Sequence, residues 1–227
     1  MMRDQRMKLR ELLDWHFDER VKTVFTSIPA HVVGFDPASQ LAQIELGIRR
    51  VDIDGASHVP PPIIDCPVLF PGDKFAVEMQ IDVGCEGLAV FSQRCIDGWL
   101  NTGGTADNPL RRFHDMQDAF FIPGMRPLPS VLPSFQNNGI RLRNFSGNHW
   151  VWLKNDGTIT IENGSGHIRM APDGTVTING VVIDTSSNVT TNATVTAKTD
   201  VVGGGISLNS HTHGNVENGG GSTSAPM

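Results

Sequence analysis

A strict two-residue alternation of side chains runs through residues 188–201. One face of this segment carries only small side chains: Val189, Thr191, Ala193, Val195, Ala197, Thr199 and Val201. Alternation of this period predicts a β-strand, and at about 3.3 Å per residue it would be roughly 45 Å long. Strands of globular domains rarely exceed about 10 residues. Because Val, Ala and Thr each bury little area, we expect copies of the same stripe to bury one another around a common axis, as a fibrous shaft of several chains.

The composition limits the classes of protein to which the chain can belong. With 227 residues it can hold one large domain or two small ones. The net charge of −6 and the absence of Tyr argue against nucleic acid as a partner, because binding phosphates requires clustered Lys and Arg. No apolar run approaches the ~20 residues of a membrane span, and the N-terminal segment is too charged for a signal peptide. We therefore expect synthesis in a cytoplasm without a signal peptide.

The sequence contains three cysteines, Cys66, Cys85 and Cys95. Their number is odd, and no two of them have CxxC spacing. This pattern favours buried free thiols in a protein made in a reducing compartment. A disulfide between two of them stays open as the alternative.

The N-terminal part of the chain predicts a helical arm, a small β domain and a connector. Residues 3–19 have a broken apolar stripe, which predicts a short helix within an arm of residues 1–20 that packs on the next domain or docks onto a neighbouring protein. Residues 21–96 suit a five-stranded barrel of the OB type, with a five-stranded sandwich as the alternative. The predicted strands are Thr26–Phe35, Leu41–Ile48, Ile63–Phe70, Phe75–Ile81 and Leu88–Ser92. Residues 97–138 lack periodicity and are predicted to be a connector, in which residues 97–99 and 120–123 anchor the packing.

Beyond residue 138 the sequence becomes repetitive. The segment Asn155–Ile161 is echoed by Pro172–Ile178, seventeen residues later. In both segments an Asp-Gly turn opens a strand whose alternate Ile or Val residues face one way. Short repeated β segments of this kind indicate layers that stack along one direction. We expect residues 139–208 to form the shaft, and the chain as a whole to be all-β.

The segment Ser210–Gly214 (SHTHG) contains the one motif with a coordination argument. In an extended segment His211 and His213 point to the same face, so that one chain offers two imidazoles. Two solvated histidines in a tail rich in Gly and Ser are the alternative. Three chains around an axis would offer six nitrogens, which favours an octahedral ion such as Fe(II) over Zn(II), which prefers four ligands. Ni(II) is kept as a less favoured alternative. We therefore predict a metal-binding apex in residues 209–227, with His211 and His213 as ligands.

Two further groups of residues could carry chemistry. A hydrolase could use His114 as a base and Asp115 or Asp118 as an orienting or metal-binding group. A hydrogen-bonded and ion-paired connector at a subunit contact is the other interpretation, and no signature such as GxSxG or HExxH is present. We therefore predict that the chain is not an enzyme, with no catalytic and no cofactor-binding residues apart from the metal ligands. Trp150 and Trp152 could form a carbohydrate-binding face, or cap the broad end of the shaft where it joins the barrel.

Several stretches resemble the membrane-puncturing central spike proteins of contractile-tailed bacteriophages. They are Ser27–Val32 (SIPAHV), Arg94–Trp99 (RCIDGW), Arg111–Phe120 (RRFHDMQDAF) and Ser210–Gly214 (SHTHG). The resemblance implies an N-terminal OB-fold, a C-terminal intertwined trimeric β-helix, and one iron ion at the apex, held by His211 and His213 of every chain. It also implies a homotrimer at the distal tip of the tail tube in the virion, attached to a baseplate hub protein. Whether a separate capping protein covers the tip stays open.

From these expectations we predict a structural spike that pierces the host outer membrane mechanically when the tail sheath contracts. The alternative is a receptor- or glycan-binding tail fibre. A fibre of that kind should carry a larger C-terminal head rich in aromatic residues. The C-terminal residues of this chain are instead rich in Gly and Ser.

Overall fold

The computed structural model describes residues 8–52, 54–212, 214 and 219. Within this part of the chain most secondary structure is β-strand, so the predicted all-β class with a short N-terminal helix is confirmed. The chain divides into two compact units, Met1–Val131 and Leu132–Met227. Among the described residues, no helix is both long and apolar enough to cross a membrane.

The first unit contains a curled five-stranded sheet. Its elements are α1 (Leu9–Val21), β1 (Ser27–Asp36), β2 (Leu41–Leu46), β3 (Arg50–Val51), β4 (Ser57–His58), β5 (Ile63–Pro67), β6 (Glu86–Phe91), α2 (Asp97–Thr102), β7 (Ala119–Pro123) and a 3-10 turn at Leu128–Ser130. The sheet has the order β5-β2-β1-β6-β7, all antiparallel, while β3 and β4 form a separate hairpin. The two sheet edges meet, because Val68 and Phe121 form a parallel bridge and the Leu69 N–H donates to the Phe121 carbonyl (2.9 Å). This closure agrees with the predicted five-stranded barrel of the OB type.

Alternate residues of the strands fill the interior of the barrel. The buried apolar side chains are Ala30, Val32, Ala42, Ile44, Leu46, Ile63, Cys66, Ile81, Ala89, Phe91, Ala119 and Phe121. Phe121 is the largest of the fully buried ones. A Cβ on Gly87 would overlap the Phe121 ring and the Ile122 carbonyl oxygen. Only glycine at this position therefore lets β6 approach β7 closely.

The fifth strand of the barrel differs from the sequence prediction. The pattern places it at Phe75–Ile81, and that prediction is wrong: Phe75 is 92% exposed and this segment forms no strand. The strand is instead β7, which lies within the predicted connector. Ala119 and Phe121 of β7 enter the core. Short apolar runs do not reveal which of two candidates pairs with the sheet, and here β6 pairs with the one whose alternate side chains fill the barrel.

The three cysteines are free thiols. Cys66 and Cys95 are buried, and Cys85 is half-buried. Burial raises the pKa of the Cys66 thiol to about 12, and its sulfur lies 3.3 Å from the Ala119 carbonyl oxygen. At neutral pH Cys66 is therefore a neutral thiol that packs inside the barrel.

Helix α1 lies almost entirely in solvent. Residues 1–7 of the predicted arm lie outside the described residues, and the helix runs from Leu9 to Val21 instead of over residues 3–19. Its N-terminus is capped by Glu11, whose carboxylate accepts the Lys8 backbone N–H (3.0 Å). Every residue of α1 except Glu19 is exposed.

The second unit is a seven-stranded antiparallel meander followed by a small hairpin. The meander strands are β8 (Gly139–Arg143), β9 (Trp150–Lys154), β10 (Ile159–Glu162), β11 (His167–Met170), β12 (Val176–Ile178), β13 (Val181–Ile183) and β14 (Val189–Thr190); the hairpin strands are β15 (Val202–Gly203) and β16 (Ile206–Ser207). Each meander strand pairs with the next along the chain, so the sheet order follows the sequence. The strands shorten from five residues in β8 to two in β14.

The predicted seventeen-residue repeat is confirmed at its two Asp-Gly turns. In the first, the Asp156 carboxylate accepts the Thr158 N–H (2.8 Å); in the second, Asp173 accepts the Thr175 N–H (2.9 Å). These hydrogen bonds hold the pKa of both carboxyls below the usual range. The glycines that follow have φ of +83° and +89°, a conformation that other residues rarely adopt.

The long strand predicted for residues 188–201 is wrong as a feature of the single chain. Only Val189 and Thr190 form a strand, paired with β13, and the backbone bends at residues 192–193 and 198–199. In the first bend the Thr191 hydroxyl accepts the Ala193 N–H (3.1 Å). Alternation determines which face each side chain occupies, but a strand also needs a neighbour for its N–H and C=O groups. Within the described part of the chain, no strand pairs with residues 191–200.

Candidate metal-binding apex

The apex begins with the β15–β16 hairpin, directly before the histidines. Gly204 and Gly205 form its turn with φ of +59° and +84°, which glycine adopts readily in two-residue hairpin turns. After the turn the Leu208 N–H donates to the Val201 carbonyl (2.8 Å). The chain therefore reverses here, and the segment that leads to His211 lies against the one that enters the hairpin.

Asp200 fastens the base of this hairpin. Its Oδ1 accepts the backbone N–H groups of Val201 (2.8 Å) and Asn209 (2.9 Å), one on each side of the turn. Hydrogen bonds from the Ser207 side chain and from these N–H groups hold the pKa of Asp200 below its usual range. An ionised Asp200 therefore ties the two ends of the hairpin together.

His211 follows the hairpin in a tight turn. Its Nδ1 lies 3.0 Å from the Ser207 carbonyl oxygen and 3.2 Å from that of Leu208. A carbonyl oxygen can only accept, so these contacts are hydrogen bonds when Nδ1 carries the ring proton, and the lone pair of the neutral imidazole is then on Nε2. Metal-ligating histidines donate their other ring N–H in this way, commonly to a backbone carbonyl. The His211 side chain therefore fits the predicted role of a metal ligand, through Nε2.

His213, the second predicted ligand, lies outside the described residues. The chain before it departs from the extended form expected of the motif, because residues 208–210 form a turn and neither His211 nor Thr212 belongs to a strand. That both imidazoles share one face therefore stays a prediction.

Replacing Asp200 with Ala should loosen the hairpin that positions His211, because two backbone N–H groups lose their acceptor. We expect hydrogen exchange at the Val201 and Asn209 amides to accelerate on the order of tenfold. Asp200→Asn keeps one acceptor oxygen, so its exchange rates should lie between those of the unsubstituted protein and those of Asp200→Ala. The folded-state pKa of Asp200 is lowered, so its contribution is present above the ordinary Asp range and is lost as pH falls through the lowered value. Unchanged exchange in Asp200→Ala would contradict this role.

A second group of potential metal ligands lies in the first unit. One ligand atom from each of Cys95, Asp97 and Asp118 lies within 4.8 Å of the others. The Arg112 guanidinium contacts all three: Nη2 lies 3.2 Å from Cys95 Sγ, 2.8 Å from Asp97 Oδ1 and 2.7 Å from Asp118 Oδ1. A divalent cation would have to displace this guanidinium. We therefore interpret the group as an ion pair within the fold.

Asp118 is the buried centre of that ion pair. Its side chain is 0% exposed, and its carboxylate accepts the Ile96 N–H (3.1 Å) and Arg112 Nε (3.0 Å). Burial alone would raise the pKa of this carboxyl, but the hydrogen bonds from Arg112 and Ile96 outweigh it and hold the pKa below its usual value. The sequence singled out Asp118 without its partners, since Arg112 and Cys95 are 17 residues apart along the chain. One sequence signal could have linked them: Cys95 lies in the stretch Arg94–Trp99 and Arg112 in Arg111–Phe120, and both stretches resemble the same family.

Replacing Arg112 with Ala should destabilise the protein by about 3–5 kcal/mol, because it leaves a buried carboxylate without its counter-ion. The matched control is Arg111→Ala at the exposed neighbouring residue, which should stay within about 0.5 kcal/mol of the unsubstituted protein. Urea denaturation followed by Trp fluorescence measures both. Because the folded-state pKa of Asp118 is lowered, its contribution is present at neutral pH and is lost as pH falls through that value. Equal stability of the two variants would exclude an important ion pair.

His114 and Asp115 make contacts of a different kind. His114 Nδ1 lies 3.2 Å from the Phe25 carbonyl oxygen, and the Phe25 N–H donates to the His114 carbonyl (3.1 Å). The Asp115 carboxylate accepts the Gln117 N–H (2.9 Å). Both contacts hold the chain between α2 and β7 in place. They favour the hydrogen-bonded connector over a base with its orienting acid.

Trp150 and Trp152 pack on the polar face of the meander. The guanidinium carbon of Arg141 lies 4.2 Å from the Trp150 ring centroid and 4.8 Å from that of Trp152, and Lys154 Nζ lies 4.4 Å from Trp152. The Trp150 indole N–H donates to the Thr160 hydroxyl (3.2 Å). Cations of the same sheet therefore occupy the ring faces, which favours a packing role over a sugar-binding face.

Two family models match the chain. Residues 28–124 match the phage protein Gp138 N-terminal domain, a range that begins in β1 and ends directly after β7. Residues 205–226 match the GpV apex motif, a range that contains His211 and His213. A comparison with curated proteins found no match.

The two matches identify the chain as a spike protein of the phage tail baseplate. As a tail protein it belongs to the virion. The GpV apex motif is in general a metal-binding apex, so the match agrees with a metal at the tip and leaves the identity of the metal open.

Proposed function

We propose that the chain is one of three identical subunits of a needle that is driven through the host outer membrane when the phage tail contracts. In this proposal the spike sits at the distal tip of the tail tube and is attached to a baseplate hub protein. A metal ion closes its apex. The role is mechanical and requires no catalysed reaction.

The observation that carries this proposal is the apolar face of the meander sheet. Two rows of cross-strand neighbours lie on it: Ile140, Leu153, Ile159, Met170, Val176, Ile183 and Val189 in one row, and Leu142, Val151, Ile161, Ile168, Ile178 and Val181 in the other. At the β8 end Ile140 is 70% exposed and Leu142 63% exposed. An apolar sheet face needs a second layer to bury it. Three copies of the sheet that face a common axis would provide that layer for one another.

The opposite face of the same sheet is suited to water. The central row of cross-strand neighbours on that face is mostly polar: Arg141, Trp152, Thr160, Arg169, Thr177, Val182 and Thr190. A sheet with one apolar and one polar face is the pattern of a wall whose inner side is buried. This supports an assembly in which the polar face points outward.

Three copies also resolve the discrepancy at residues 191–200. This segment keeps a stripe of small side chains, but no strand in the described part of the chain pairs with it. In a trimer, neighbouring chains would supply the missing N–H and C=O partners, and the small side chains would fit close to a threefold axis. A threefold ring is a closed symmetry, so no apolar edge would be left open.

At the apex three chains would contribute His211 and His213 to one ion. Six imidazole nitrogens form an octahedral shell, for which Fe(II) is better suited than Zn(II) with its preference for four ligands. The Nδ1 contacts of His211 support this, because with the ring proton on Nδ1 the imidazole lone pair lies on Nε2. Bound metal would join the three chains at the tip and so stiffen it.

Native mass spectrometry of the intact protein tests the assembly directly, with metal analysis of the same sample. We expect a mass of three chains and one iron for every three chains. A stable monomer would overturn the needle. A trimer that contains no metal after anaerobic purification would retain the shaft but overturn the metal closure of the apex.

A further inference from the structure

Helix α1 has an apolar stripe that the single chain does not bury. Leu9, Leu13 and Phe17 follow one another at i, i+4 spacing and are 72%, 58% and 68% exposed. A helix of 13 residues is marginal in water unless packing covers its apolar face. We therefore expect the stripe to be covered by another surface in the working protein.

The first unit also carries an open groove of about 610 Å³. Phe25, Ile28, Ile48, Val59 and Met116 contribute to its apolar lining. The groove has the character of surfaces that receive an amphipathic helix, in which apolar side chains of the helix enter an apolar trough. It is large enough to take several side chains of Leu or Phe size.

The charges of the two surfaces are complementary. Helix α1 carries four acidic residues against two arginines; the acidic ones are Glu11, Asp14, Asp18 and Glu19. The described lining of the groove includes the cations Lys22, Arg49 and Arg50 and the single carboxylate Asp115. An acidic amphipathic helix therefore matches both the apolar lining and the basic side chains of the groove.

The helix does not fill the groove of its own chain. Lys22 and Thr23, which directly follow α1, line the groove, and Lys22 Nζ pairs with the Glu19 carboxylate (2.6 Å) at the last turn of the helix. The helix thus ends next to the groove, none of its own residues lines it, and its apolar stripe is in solvent. A helix from another copy can approach the same groove without this constraint.

We propose that the groove binds helix α1 of a second copy of the chain, with Leu9, Leu13 and Phe17 on its apolar lining. This inference rests on the proposed trimer. The contact is head-to-tail, and around a threefold axis it closes with every helix and every groove used once. The exposed apolar stripe of α1 and the apolar lining of the groove thereby bury each other.

Disulfide cross-linking between two single-cysteine additions tests the contact in the full chain. Leu13→Cys on the helix and Ile48→Cys in the groove are both at exposed positions. Chains with one or the other change are co-expressed, so that a bond between the two positions can only join different chains. After mild oxidation we expect the peptide that links residues 13 and 48 as the main product, identified by mass spectrometry.

The matched control replaces Leu13→Cys by Asp18→Cys, because residue 18 is exposed and lies away from the apolar stripe of α1. It should give at least tenfold less of the linked peptide. Light scattering on the same samples separates the two levels of the proposal. A trimer without preferential linkage of residues 13 and 48 would overturn the helix-in-groove contact and leave the needle standing, whereas a monomer would overturn both.

Discussion

Replacing Ile178 with Glu should abolish the trimer, whereas the neighbouring change Thr177→Glu should leave it intact. Ile178 lies on the apolar face of the meander, opposite Ile168 and Val181. In a trimer three such carboxylates would be buried together near the axis, at a cost of several kcal/mol per charge. Thr177 is on the other face and lies opposite Arg169, which favours a carboxylate there. The two residues are adjacent in β12, so a difference between the two variants reports which face of the sheet is buried in the assembly.

Light scattering measures the outcome as a change from three chains to one or to aggregates. The full consequence should appear in phage particles: virions assembled in the presence of only the Ile178→Glu chain should lose infectivity by several orders of magnitude. Virions with Thr177→Glu should stay infectious. Equal effects of the two changes would mean that the apolar face is not the inner face of the assembly.

Local sequence signals were sufficient where the chain makes local structure. The Asp-Gly turns at Asp156 and Asp173 are encoded within five residues each, and the structure forms both. The first strands of the barrel were found for the same reason, since Asp36-Pro37 and the residues around it separate two alternating runs. In these cases the pattern and the turn that ends it lie within one short window.

The sequence pattern did not predict strand pairing or ion-pair partners where these depend on residues far apart in the chain. Phe75–Ile81 alternates and Ala119–Pro123 is a short continuous apolar run, yet only the second pairs with β6, because it places Phe121 in the barrel core. The partners of Asp118 were missed because Arg112 and Cys95 reach it only through the fold. For residues 191–200 the alternation is clear, yet no strand among the described residues pairs with them. The alternation of side chains determines which face of a strand each residue occupies, but it does not determine which strand pairs with that segment.

For the candidate apex, spacing predicts two candidate ligands and no more. The motif names His211 and His213, but the orientation of an imidazole depends on what its second nitrogen contacts. The structure shows that Nδ1 of His211 is directed at the Ser207 and Leu208 carbonyls, within a turn that Asp200 fastens. No periodicity indicates such a contact, because it arises from a turn and not from a repeating element.

The double substitution of His211 and His213 to Ala should remove the metal completely and leave the trimer intact. In the proposed trimer the apolar face of the meander would be buried upstream of the apex, so assembly should not depend on the ion. A site with six protein ligands has no open position for water or substrate, which makes the metal structural. Each ligand must be a neutral imidazole, so acid should release the metal from the unsubstituted protein by protonating the histidines. Elemental analysis and native mass spectrometry on one sample, measured along a descending pH series, follow both effects. One iron per chain would contradict a single ion shared by three chains, and retention of metal by the double variant would exclude the two histidines as its ligands.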